Sequence, residues 1–187
     1  MRTDILVCLQ KEIYERCQKP TNKFGMGVYH HIEAVVKNSE LLAEKYGADK
    51  EVVMIGAWLH DIASITDYEL YEEHHIHGAE MAYDILKQFG YNESKITLVQ
   101  TCIRNHRGSV CVEKSSIEEI CVADADAVSH FYNIPNLLYL AFVERKLNME
   151  EGTKYVRRKL ERSYKKLSSE SKEFYREKYL QVMEIFQ

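Results

Sequence analysis

The chain has little proline and glycine, and its pattern offers little support for strands. Only two prolines, Pro20 and Pro135, and eight glycines interrupt its 187 residues. The remaining long stretches are rich in Leu, Glu, Lys and Ala, which is the composition of helical proteins. Alternation of apolar and polar residues, the mark of a half-buried strand, is hard to find. These absences predict an all-α fold, and the length fits a single domain over residues 1–187.

The sequence also lacks a long apolar run near its start and closely paired cysteines. Charged residues interrupt the segment MRTDILVCLQKEIYERCQ every few positions, which excludes a signal peptide or a membrane-spanning helix there. We therefore expect a soluble, cytoplasmic protein with no membrane partner. Five cysteines without CxxC spacing predict reduced core thiols, among them Cys102, Cys111 and Cys121, and no disulfide framework.

The net charge of −4 conceals an uneven distribution along the chain. Residues 144–187 hold 12 Lys and Arg against 8 Asp and Glu, whereas the rest of the chain holds 13 against 21. A basic end of this kind steers an anionic substrate, but solvated helix faces produce the same split. Nucleic-acid binding is the weaker interpretation, because the basic residues between 154 and 166 spread around their helix: Lys154, Arg157, Arg158, Lys159, Arg162, Lys165 and Lys166.

Capping residues and glycines divide the chain into helices separated by short connections. Gly47 is expected just past the end of the second helix, and Asp49 and Asn92 are expected to cap the third and fifth. Residues 62–73 are expected to form a loop or a short irregular turn. Ser116 with Glu119 has the form of a capping box, and C-terminal packing helices at about 134–187 are expected to begin near Pro135, Asn148 and Ser169.

The strongest functional signal is the pair His60 and Asp61, which ends the apolar stretch VVMIGAWL. Two groups that can bind metal follow a segment expected to be a buried helix, where a cation is held away from bulk water. His31 precedes the pair on the second helix, where its spacing from Val28 and Val35 predicts that it faces inward or borders the core. Asp124 and Asp126 follow it on the sixth helix.

This order of residues resembles the HD-domain superfamily of metal-dependent phosphohydrolases. The resemblance runs from about His31 to Phe131 and rests on the segments GAWLHDIA, HHIHGAE, IRNHRG and VADADAV. It implies an HD-type helical bundle with a motif-bearing core at about 28–131 and a metal site between central helices. It also implies four metal ligands, of which His60 and Asp61 are catalytic: His31, His60, Asp61 and Asp126.

The resemblance further implies a divalent cation and the hydrolysis of a phosphate ester, with a nucleotide or related small molecule as the substrate. Imidazole and carboxylate ligands suit Mn, Mg, Co, Ni, Fe or Zn without deciding between them. Metal-bound water would attack the phosphorus atom. One ion is expected, while His74 and His106 offer ligands for a second ion or, with Arg107, contacts for a phosphate. Iron-dependent oxygenase chemistry is a minor alternative, because the chain matches the inositol oxygenase branch poorly elsewhere.

Two questions stay open at this point. The apolar stripe of the sixth helix favours Asp124 as the inward residue, whereas the family motif favours Asp126; we assign Asp126 as the ligand and expect Asp124 to orient a ligand or a water. The leading hypothesis is an enzyme, and the alternative is a catalytically silent HD-fold module that binds a ligand or regulates. The sequence decides neither the general acid nor the oligomeric state, and it is compatible with a homo-oligomer.

Overall fold

The computed structural model describes residues 1–107 and 114–186. These residues form helices and no strand, which confirms the all-α prediction. Two 3₁₀ segments, Tyr68–Glu73 and Glu184–Phe186, and one π-helical turn, Leu140–Glu144, accompany the α-helices. The α-helices are α1 (Thr3–Cys17), α2 (Gly27–Tyr46), α3 (Lys50–Leu59), α4 (Ile62–Thr66), α5 (His74–Gln88), α6 (Glu93–Asn105), α7 (Ile117–Tyr132), α8 (Ile134–Tyr139), α9 (Met149–Lys166) and α10 (Ser169–Met183).

Helix α7 is the centre of the bundle. It packs against α2, α3, α6, α9 and α10, and every residue from Cys121 to Phe131 is buried. A helix that is buried on all sides has no solvent-facing stripe, so its neighbours surround it completely. Polar side chains on α7 therefore face other helices, and they need partners there.

The helix ends follow the capping chemistry expected from the sequence. The Asp49 carboxylate accepts hydrogen bonds from the backbone N–H groups of Glu51 and Val52 at the start of α3. Gly47 ends α2 with a φ of +73°, a left-handed conformation that glycine adopts without strain. Asn148 begins α9 through a complete capping box.

Some local expectations were wrong. The predicted loop or short irregular turn at residues 62–73 consists of α4 and a 3₁₀ segment, because Asp67 ends the first and caps the second by accepting from Glu69 N–H. At α7 only half of the capping box forms: Ser116 accepts from the backbone of Glu119, whose carboxylate bonds to Asn105 instead. The N-cap of α10 is Ser168, one residue before the expected Ser169.

Two further expectations concern membranes and cysteines. No helix in the described part of the chain is long and apolar enough to cross a membrane. Cys17, Cys102 and Cys121 are free and buried. Cys8 is also free, but it is exposed. Cys111 lies outside the described residues.

Candidate metal centre and active site

The site forms where α3 ends. His60 keeps helical dihedral angles as the last turn closes, and Asp61 leaves the helix with φ −108° and ψ 12°. This break separates the directions of two adjacent side chains, so both approach the same cluster. The imidazole of His60 is almost wholly buried, whereas the Asp61 carboxylate is 20% exposed.

Two trios of side chains meet at this break, and the ligand atoms of each trio lie within 4.8 Å of one another. The first trio consists of His31 from α2, His60 and Asp126 from α7. In this trio, His31 Nε2 lies 3.3 Å from Asp126 Oδ1. The first trio therefore contains three of the four ligands that the resemblance implies.

The second trio consists of Asp61, His74 from the start of α5 and His106 from the end of α6. Asp61 Oδ1 lies 3.5 Å from His74 Nε2 and 4.0 Å from His106 Nε2. The other oxygen, Oδ2, lies 3.5 Å from His60 Nε2, which belongs to the first trio. One carboxylate therefore links the two trios, with one oxygen toward each.

In three of the imidazoles, a hydrogen bond to the backbone fixes a hydrogen on Nδ1. Each Nδ1 hydrogen-bonds to the carbonyl three residues earlier, at 2.6 to 2.7 Å. A carbonyl oxygen only accepts, so each Nδ1 carries the hydrogen, and in the neutral form of each ring the lone pair of Nε2 faces the cluster. The pairs are His60 with Ala57, His74 with Tyr71 and His106 with Ile103.

His31 reaches the same state through a side chain. The Ser129 hydroxyl donates to the Asp126 carbonyl at 2.7 Å, which leaves its oxygen to accept from His31 Nδ1 at 3.0 Å. In the neutral form of the ring, the lone pair of His31 Nε2 therefore also faces the cluster. This arrangement, in which Nδ1 is tied to an acceptor and Nε2 is free, is typical of metal-binding histidines.

The surroundings of the Nε2 atoms show whether a cation fits in this cluster. His60 Nε2 is buried without a hydrogen-bond partner among the described residues. The Nε2 atoms of His74 and His106 lie 3.2 Å apart. Two lone pairs at this distance repel unless a proton or a cation lies near both, and adjacent nitrogen ligands at ~2.1 Å from one ion are separated by about 3 Å. The donor set thus fits a divalent cation.

Electrostatics within the cluster keep both carboxylates ionised. Burial alone would raise the pKa of Asp61, but the neighbouring His60, His74 and His106 hold it well below its usual value. Burial also acts on Asp126, where His31 and Lys166 outweigh it and lower the pKa. Burial lowers the pKa of His106 to about 3, which keeps this ring neutral and available as a ligand.

A cavity opens above the cluster, and cations line it. We call these cations the basic wall: Arg107, Lys114, Arg145, Lys159, Arg162, Lys165 and Lys166. Lys159, Arg162 and Lys166 are three and four residues apart and so share one face of α9. The sequence interpretation that the basic residues merely spread around this helix was wrong for these positions. Of the others, Lys154 and Arg157 pair with Glu150 and Glu161 on α9 itself.

Two sequence-predicted site residues have other partners. Both carboxylate oxygens of Asp124 accept from Ser168, at the junction of α9 and α10. The expectation that Asp124 orients a ligand or a water is therefore corrected, because its hydrogen bonds hold a helix start. Arg107 lines the cavity, but its guanidinium also donates to the backbone carbonyl and the carboxylate of Glu72.

The structure adds residues that the sequence reasoning missed. His130 is buried beside the first trio and stacks on His31, with ring centroids 5.0 Å apart. Burial and the nearby Lys159 hold the pKa of His130 well below its usual value. Tyr155 and Arg145 also line the cavity. The spacing of Tyr155, Lys159 and Arg162 on one face of α9 was a sequence signal for Tyr155.

Residues 28–130 match the HD domain family. The chain belongs to this family. Among curated relatives, ribonuclease Y of Clostridium novyi is 34% identical over 111 residues, 59% of this chain and 20% of the relative. Ribonuclease Y of Mycoplasma capricolum is 34% identical over 128 residues, 68% of this chain and 23% of the relative. The chain thus spans about a fifth of the length of these relatives.

Solved structures share the HD fold at low identity. A predicted HD superfamily hydrolase from an uncultured Thermotogales bacterium is 22% identical with a TM-score of 0.57, and the match covers 86% of this chain and 85% of that one. Bacillus subtilis YpgQ, solved in complex with ADP, is 17% identical with a TM-score of 0.67 over 94% and 93%. Membership of the HD family supports a hydrolase that binds a divalent metal.

Proposed function

We propose that this protein is a metal-dependent phosphohydrolase that cleaves a phosphate ester of a nucleotide or a related small molecule. The observation that carries the proposal is the cluster of four imidazoles and two carboxylates, in which the His60 Nε2 atom is buried without a hydrogen-bond partner among the described residues. The basic wall beside this cluster suits the negative charge of a phosphate.

The two trios support two ions in place of the single ion expected from the sequence. His31, His60 and Asp126 would hold one ion, His74 and His106 the other, and Asp61 would contribute one oxygen to each. When bound, such cations supply positive charge to the phosphoryl oxygens and lower the pKa of water, so that hydroxide is available near neutral pH. Nitrogen and oxygen ligands of this kind suit Mn, Fe, Co, Ni, Zn or Mg.

Residues of the chain bind the phosphate of the substrate, and one of them accepts a hydrogen bond from water. Asp61 is the more exposed of the two cluster carboxylates, and its low pKa keeps it ionised, so it accepts a hydrogen bond from water beside the substrate. The side chains of Lys159 and Arg162 extend from α9 into the cavity and supply donors to phosphate oxygens. His60 acts as a ligand, because its ring is almost wholly buried.

A hydrolysis assay tests the proposal. Protein loaded with Mn²⁺, Co²⁺ or Zn²⁺ is expected to release phosphate from at least one member of a panel of nucleoside mono-, di- and triphosphates and simple esters. Asp61→Asn is expected to abolish release, whereas the matched exposed residue on α5, Asp84, should tolerate Asp84→Asn. Tight nucleotide binding without release by any metal form would instead favour the silent binding module.

A second candidate activity is cleavage of an RNA phosphodiester. The basic wall and the similarity to ribonuclease Y favour it, although the chain spans only about a fifth of those relatives. An end-labelled oligoribonucleotide incubated with the same metal forms distinguishes the two activities. Fragments that disappear with Asp61→Asn would establish the second candidate, and an intact oligonucleotide would exclude it.

A further inference from the structure

A second part of the cavity lies on the α8 side of the cluster. We call it the apolar chamber, and its distinctive lining consists of Phe24, Val28, Asn133, Leu137, Tyr139 and Leu140. His31 and Asp61 line both this chamber and the part under the basic wall. The candidate metal centre therefore lies at the junction of two differently lined spaces.

The two parts of the cavity differ in charge. Five cations line only the part on the α9 side: Arg107, Lys114, Arg162, Lys165 and Lys166. The described residues that line only the apolar chamber include no charged side chain. Arg145 and Lys159 line both parts, so a phosphate in the chamber meets fewer counter-charges than one on the α9 side, whereas a flat apolar ring in the chamber gains from leaving water.

The sequence builds the chamber through one buried asparagine. Asn22 donates from its amide to the carbonyls of Cys17 and Gly25, and its oxygen accepts from the backbone N–H of Phe24 at 3.0 Å. These bonds hold the loop between α1 and α2 in a fixed shape. The ring of Phe24 is thereby placed 5.3 Å from that of Tyr71, measured between centroids.

Aromatic surface continues from the chamber to the metal centre. The ring of Tyr71 stacks on that of His74, with an interplanar angle of 12° and centroids 5.7 Å apart. Tyr71 lines both parts of the cavity. A molecule with a flat ring at one end and a phosphate at the other could thus lie across the cluster with both ends in suitable surroundings.

Building on the proposed function, we propose that the apolar chamber binds the nucleobase of the substrate while the phosphates lie along the cluster and the basic wall. The rings of Phe24 and Tyr139 supply stacking surface, and the Asn133 amide offers both a donor and an acceptor to the edge of a base. The substrate orientation is then fixed, with the base toward α8 and the phosphates toward α9.

Calorimetric titration of the Mn²⁺-loaded protein tests the two parts separately. Adenosine and uridine carry a base without phosphate, and inorganic phosphate carries the anion without a base. Phe24→Ala and Tyr139→Ala are each expected to weaken nucleoside binding by about tenfold. Arg162→Ala is expected to weaken phosphate binding instead. Phe174→Ala removes an exposed aromatic ring on α10 outside the cavity, and it should change neither affinity.

The outcomes separate this inference from the proposed function. It is overturned if neither nucleoside binds saturably, or if both chamber variants bind nucleosides as well as the parent does. Tyr139 is 45% exposed, so Tyr139→Ala carries the test if Phe24→Ala misfolds. Nucleoside binding in the chamber without any phosphate release would refute only the proposed function. Phosphate release with equal kcat/KM for AMP and ribose 5-phosphate would refute only the nucleobase site.

Discussion

The two ends of helix α3 differ in how completely their polar side chains are hydrogen-bonded. At the N-terminal end, Glu51 is 12% exposed and its carboxylate accepts from the Tyr91 hydroxyl at 2.9 Å, from Lys95 at 3.3 Å and from the backbone N–H of Arg2. At the C-terminal end, His60 is buried, and its Nε2 atom has no hydrogen-bond partner among the described residues.

The difference separates a structural polar cluster from a functional one. A buried polar group whose bonds are complete holds its neighbours in place and needs nothing further from solution. A buried group that lacks a partner costs free energy, and such groups persist where a ligand completes them. Changes at the Glu51 end should therefore alter stability, and changes at the His60 end should alter binding and turnover.

The largest expected effect is the loss of turnover in Asp61→Asn. The amide keeps the size of the carboxylate but removes the charge that links the two trios, so we expect kcat to fall by about 10³-fold or more, or ~4 kcal/mol. The melting temperature of the metal-free protein should change little. Turnover within about tenfold of the parent, in a protein with unchanged circular dichroism, would contradict this role for Asp61.

Metal removal is expected to have the next largest effect. Adding Mn²⁺ at about 100 to 1,000 times its dissociation constant should stabilise the stripped protein by ~3–4 kcal/mol, because the ion binds only the folded cluster. The measurement is the melting temperature with and without the ion. His60→Ala should remove most of this gain, while Glu51→Gln should retain it. An equal gain in both variants would place the ion elsewhere.

The sequence predicted the helix ends at which one local residue decides the structure. Asp49, Asn92 and Asn148 each accept a backbone hydrogen bond at the start of a helix, as their residue types imply. The segment at residues 62–73 was predicted as a loop or a short irregular turn, because its helical turns depend on packing against neighbouring helices. Contacts of α4 with α1 and α5 were not visible in the local sequence.

The choice between Asp124 and Asp126 shows a physical limit of periodicity. An apolar stripe identifies the inward face only where another face meets solvent, and α7 is buried all round. The stripe therefore favoured Asp124, which bonds to Ser168, while Asp126 lies 3.3 Å from His31. The resemblance to the HD family selected the residue in the cluster. The sequence did not show that the basic residues of α9 share a cavity with Arg107, Lys114 and Arg145, because those three come from other parts of the chain.

The stability contribution of Glu51 should depend on pH. Burial would raise the pKa of this carboxyl, but hydrogen bonds from Tyr91, Arg2 and Lys95 outweigh burial and lower the pKa from 4.5 to about 2. A lowered folded-state pKa means that the contribution is complete above pH 4.5 and is lost as the pH falls toward 2. We expect Glu51→Gln to cost ~2–3 kcal/mol near neutral pH.

Urea unfolding of the parent and of Glu51→Gln at several pH values measures this contribution. The difference between their unfolding free energies should shrink steadily below the unfolded-state pKa of 4.5. Turnover of the folded variant at neutral pH should match the parent, because Glu51 lies at the opposite end of α3 from the cluster. A difference that stays constant down to about pH 3 would show that charge at Glu51 contributes nothing.

The smallest expected effect is that of Asp124→Asn, which we compare with the same change at the carboxylate two residues later on α7. The Asp124 carboxylate accepts from the Ser168 backbone N–H at 3.1 Å and from its hydroxyl, which holds the start of α10. Asp124→Asn keeps the shape but weakens these bonds, so we expect a loss of ~1–2 kcal/mol in unfolding free energy with kcat retained. Asp126→Asn, the matched variant, should lose turnover and the metal-dependent rise in melting temperature. Equal loss of turnover in both variants would mean that Asp124 reaches the cluster after all.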